Sequence, residues 1–154
     1  MFCIIDGIEI FVVLAEQPVA EEFHGKDGGF WWDLGRNKRG GIVDGEKYTE
    51  KECYIKSLLL EPTKADYWNQ LGYRCRGGRV GDVEYDAKDC FVQALILDDK
   101  CHVAWLNLGA KCRGGTIKGI SYTMKECYEN CVNNNDQDVD GWYNLGTVGR
   151  GIVK

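Results

Sequence analysis

The sequence predicts an all-α fold, an α-solenoid of stacked helix-loop-helix repeats, and three observations carry this. First, Trp31, Trp68, Trp105 and Trp142 stand 37 residues apart, and each opens the phrase W-x-x-L-G. Second, the same interval separates Arg39, Arg76, Arg113 and Arg150, as well as Tyr48, Tyr85 and Tyr122, and Cys53, Cys90 and Cys127. One interval shared by many residue types marks a repeat architecture. Third, the apolar residues within each unit fall on one helical face.

The first helix of each unit is built around Trp and Leu, near residues 29–38, 64–75, 101–112 and 138–148. Arg-Gly-Gly then stops it, because glycine tolerates the left-handed conformation that ends helices. The second helix opens on Thr49-x-x-Glu52, Asp86-x-x-Asp89 and Thr123-x-x-Glu126, which have the form of capping boxes. Its stripe reads Cys53, Tyr54, Ser57, Leu58, then Cys90, Phe91, Ala94, Leu95, then Cys127, Tyr128, Cys131, Val132. Pro62, Asp98-Asp99 and the run 133–136 mark the helix ends. A helix pair of this kind cannot bury its apolar face alone, so neighbouring units must stack. The chain therefore divides into an N-terminal segment or degenerate half repeat (1–28), repeat 1 (29–65), repeat 2 (66–102), repeat 3 (103–139) and a partial repeat 4 (140–154). In the N-terminal segment Phe11 precedes Tyr48 by one interval, but its isoleucines and valines also permit a strand.

W-x-x-L-G, a small residue, an aromatic and a proline resemble the tetratricopeptide signature, whose unit is roughly 34 residues. The surplus here lies between the two helices, in Arg-Gly-Gly-Ile-Val-Asp-Gly and its copies. The aromatic usual after Leu-Gly is replaced by Lys38, Cys75 and Cys112, and the small residue before the second-helix aromatic is kept only at Ala87. The resemblance covers about residues 29–154. It implies a right-handed superhelix whose inner groove binds peptides or protein partners. It places in that groove the first-helix residues flanking the Trp-Leu stripe: Trp32, Asp33, Arg36, Asn69, Gln70, Tyr73, Leu106, Asn107, Ala110, Tyr143, Asn144 and Thr147. A clamp for a terminal carboxylate needs Lys or Arg in this set, and only Arg36 supplies one.

The arginines 39, 76, 113 and 150 form a ladder. It compensates helix dipoles or, alternatively, offers a strip to an anionic partner. Cys53, Cys90 and Cys127 read as core thiols, since free Cys behaves as a small hydrophobe. Repeat-equivalent cysteines on helices about 8–10 Å apart are too distant to pair. No C-x-x-C occurs, and the two histidines, His24 and His102, have no evident Cys or Ser partner. The reading is a non-catalytic chain without cofactor or metal.

The net charge of −5 argues against broad nucleic-acid binding. No run approaches the roughly 18 apolar residues of a membrane span. The N-terminus lacks a basic leader and no glycosylation acceptor occurs, which points inside the cell. Two function classes follow. One is an interaction scaffold for peptide or protein partners. The other is a structural subunit assembled through incomplete terminal repeats, by self-association or within a complex, unless the sequence belongs to a longer array.

Overall fold

The structure is a computed structural model that describes residues 2–5, 8–11, 26–37 and 40–150. Its order is β1 (Phe2–Ile5), β2 (Ile8–Phe11), α1 (Gly28–Arg36), β3 (Gly41–Val43), β4 (Glu46–Tyr48), α2 (Glu50–Leu60), α3 (Ala65–Cys75), β5 (Gly77–Val80), β6 (Val83–Asp86), α4 (Ala87–Leu97), α5 (His102–Cys112), β7 (Gly114–Ile117), β8 (Ile120–Thr123), α6 (Met124–Asn134) and α7 (Val139–Arg150). The molecule is mostly helical. It separates into two compact units, residues 1–62 and 63–154. No helix among the described residues is long and apolar enough to cross a membrane.

The all-α expectation needs one correction. The two helices of each unit are joined by an antiparallel β-hairpin, not by a glycine loop. The register is Val43↔Glu46, Val80↔Val83 and Ile117↔Ile120, each closing a two-residue turn. The turns need positive φ, which Asp44, Gly45, Gly81, Lys118 and Gly119 adopt. β-branched residues beside the turns favour the extended state. The surplus residues of the repeat thus buy a two-stranded element. In the N-terminal segment, β1 pairs with β2, Ile5 opposite Ile8; residues 12–25, His24 among them, lie outside the described residues.

The left-handed stop also falls one residue earlier than expected. Arg76 and Arg113 are themselves the C-caps, both at φ 58. The glycines that follow, Gly77 at φ 95 and Gly114 at φ 109, keep positive φ and are required for a second reason as well. A Cβ on Gly77 would lie 2.0 Å from the Tyr85 carbonyl oxygen, and one on Gly114 2.1 Å from that of Tyr122. The hairpin's second strand passes directly over them.

The second helices begin as the sequence implies. Thr49 with Glu52, Asp86 with Asp89 and Thr123 with Glu126 all form reciprocal capping boxes. The core repeats as well. Trp31 meets Tyr48 at 4.8 Å, Trp68 meets Tyr85 at 4.7 Å and Trp105 meets Tyr122 at 4.9 Å, all edge to face. The hairpin tyrosine therefore covers the tryptophan of the preceding helix. Each such aromatic pair adds about 0.5–1.5 kcal/mol beyond its area. The indole N–H of Trp105 donates to the Asp99 carbonyl at 2.7 Å, and that of Trp142 to the Asp136 carbonyl at 2.8 Å, so each tryptophan also pins the turn before its helix.

In the second unit α3 packs on α4, α4 on α5, α5 on α6 and α6 on α7, while α5 also touches α3 and α7. The first helices of successive repeats are thus neighbours along one side. In the first unit Phe30, Trp31, Leu34, Val43 and Cys53 form the core, with Tyr48 against it.

Candidate functional site

The helices α3, α5 and α7 line a concavity of about 450 Å³. Local periodicity explains which residues reach it. Trp105, Leu108 and Gly109 turn toward the second helix, where a Cβ on Gly109 would meet Tyr128 and Cys127. At 3.6 residues per turn, Leu106, Asn107 and Ala110 rotate onto the opposite flank. The same offsets bring Asn69, Gln70 and Tyr73 from α3 and Asn144 from α7 to the same cleft.

The floor is polar but satisfied. Asn107 Nδ2 donates to Asn69 Oδ1 at 3.0 Å, and both residues are buried. This bond joins neighbouring repeats. No buried side-chain nitrogen or oxygen among the described residues lacks a partner. Asn144 Nδ2 donates to the Asp140 carbonyl at 2.8 Å. Tyr73 stands exposed at the rim, with Lys111 Nζ 4.6 Å above its ring and the Arg74 guanidinium 6.0 Å away. Cations over an aromatic face are held by the ring quadrupole.

Seven of the residues named from sequence therefore come together here: Asn69, Gln70, Tyr73, Leu106, Asn107, Ala110 and Asn144. Others do not. Tyr143 lies on α7, 72% exposed and outside the concavity. Trp32 and Arg36 belong to α1 in the first unit, where Trp32 leans on Tyr54 at 5.5 Å and Arg36 is exposed in the last helical turn. Val103, Lys111 and Asp140 line the cleft without having been singled out. Their signal was available. Residues 103, 107 and 111 step by four along α5, and 140 stands four before 144 on α7, the spacing of one helical stripe.

The arginine ladder is only partly described. Arg76 and Arg113 are exposed at equivalent helix caps. Arg39 lies outside the described residues, and α7 runs through Arg150.

Four of the seven described cysteines sit in the core. Cys53, Cys90, Cys127 and Cys131 are fully buried, and the seven described cysteines form no disulfide. Burial pushes the Cys53 thiol up to about 11, and those of Cys127 and Cys131 up to about 12. A thiol so protonated near neutral pH is a poor nucleophile. His102 Nε2 lies 3.5 Å from Asp138 Oδ2 and 3.2 Å from Asn135 Nδ2, which ties the start of α5 to the turn between α6 and α7. Among the described residues no group of three or more His, Cys, Asp or Glu side chains is placed to hold a metal ion.

No protein-family model matches the chain, and no curated protein matches it.

Proposed function

We propose that this chain is a non-catalytic interaction scaffold of the tetratricopeptide type, a right-handed α-solenoid whose first helices bind a peptide segment of a protein partner. The observation that carries this is the concavity along α3, α5 and α7, with its exposed tyrosine and row of amides. Amide side chains match the donors and acceptors of an extended backbone, and aromatic side chains dominate protein contact surfaces. Described cysteines that form no disulfide accord with a reducing, intracellular setting.

A second reading has its own observation. Trp31, Trp68 and Trp105 are 5%, 5% and 4% exposed, whereas Trp142 is 52% exposed. The α7 face bearing Trp142 and Tyr143 is thus an uncovered apolar surface, and in the assembly reading another subunit seats there.

One experiment separates the two. The chain is immobilised and incubated with extract of its native source, beside a Gln70→Ala/Tyr73→Ala variant and a Trp142→Ser/Tyr143→Ser variant. The scaffold reading expects one set of retained proteins to survive the α7 change and vanish with the groove change. The opposite pattern favours the assembly reading, and retention by neither pattern overturns both.

A further inference from the structure

The two charged residues that line the cleft, Asp140 and Lys111, stand at opposite ends of their helices. Asp66 and Asp140 are equivalent residues, two intervals apart, in the first turns of α3 and α7. Arg74 and Lys111 are equivalent residues, one interval apart, in the last turns of α3 and α5. All four are exposed. Helix dipoles favour acids in first turns and bases in last turns, but they do not choose a side of the helix. Here Asp140 and Lys111 both line the concavity, and Arg74 joins Lys111 at the Tyr73 ring. The groove therefore has a negative end at the helix N-termini and a positive end at the C-termini, with Leu106 and Ala110 between them.

We propose that the occupant is an extended peptide of matching dipolar pattern: a basic residue seated by Asp140, an acidic residue by Lys111, and small or apolar residues between. This deepens, and rests on, the groove reading above. The spacing follows from helix geometry. Asp140 occupies the level of Val103, which is eight residues before Lys111. At about 1.5 Å per residue the two ends are about 12 Å apart along the axis. An extended peptide rises about 3.3 Å per residue, so its two charges stand about four residues apart.

The test uses three fluorescein-labelled heptapeptides and anisotropy at about 50 mM salt, where exposed charges are weakly screened. The first carries lysine, serine, valine, serine and glutamate between terminal glycines. The second replaces its glutamate by lysine, and the third replaces its lysine by glutamate. The dipolar peptide is expected to bind about tenfold tighter than either like-charged one, the gain of one favourable and one relieved unfavourable pair. Lys111→Glu is expected to shift the preference to the dilysine peptide, and Asp140→Lys to the diglutamate peptide. Equal binding of all three, lost in Gln70→Ala/Tyr73→Ala, overturns the dipolar pattern and leaves the groove reading standing. No binding of any peptide overturns both.

Discussion

Replacing Gly109 by Ala tests the repeat packing through one methyl group. A Cβ there would lie 2.8 Å from Tyr128 Cε1 and 3.2 Å from Cys127 Cβ. Neither neighbour can swing into solvent, since Tyr128 and Cys127 are buried on α6. Overpacking of this kind costs about 1–3 kcal/mol. Ala in a helix interior returns about 1 kcal/mol over Gly. The net loss is about 0–2 kcal/mol. At a urea dependence of about 2 kcal/mol per molar, the midpoint falls by up to about 1 M. Gly146 holds the same place in the fourth W-x-x-L-G, and a Cβ there meets nothing within 4 Å. Gly146→Ala should therefore stabilise by about 1 kcal/mol, the helix-propensity gain alone. Far-UV circular dichroism followed through urea reads both variants. Midpoints that move in the same direction would refute the claim that this glycine exists for close approach of the second helix.

Arg113 is a left-handed C-cap at φ 58, a conformation costing about 1 kcal/mol without glycine; Arg113→Gly should raise the thermal midpoint slightly. Asn107→Leu orphans the buried Asn69 carbonyl oxygen and should cost about 1–3 kcal/mol. Adding Asn69→Leu should recover part of that, as a double-mutant cycle measures. Hydrogen bonds from the Thr49 and Thr123 backbone, then from their hydroxyls, hold the Glu52 and Glu126 carboxyls below their ordinary 4.5. A depressed folded-state value means this stabilisation is present above that ordinary value and is lost as pH falls through the lowered one. The urea midpoint should thus decline on acidification below about pH 4.5, and less steeply in Glu52→Gln/Glu126→Gln, since Gln keeps the capping box without titrating.

The helices were legible because each carries independent signals. Thr123 and Glu126 announced the start of α6, and Cys127 with Cys131 gave its buried face. The hairpins were masked by Arg-Gly-Gly, whose glycines read equally as a helix stop leading into a loop. Asp44-Gly45 between Val43 and Glu46 is itself a hairpin signal, as is Lys118-Gly119 between two isoleucines. In the cleft, the amides and Tyr73 followed from position relative to the tryptophan. Lys111 and Asp140 did not, because they lie one helical turn beyond the residues considered. Tyr143 shares the offset of Asn69 and Leu106, yet it stays outside the cleft, which no offset from the tryptophan foretells.

Amide chemical-shift mapping of the labelled chain with the dipolar heptapeptide tests groove binding most directly. The account predicts that perturbations cluster at Gln70, Tyr73, Leu106, Lys111 and Asn144, around one cleft on three helices. Perturbations confined to the hairpins or to Trp142 and Tyr143 would contradict it.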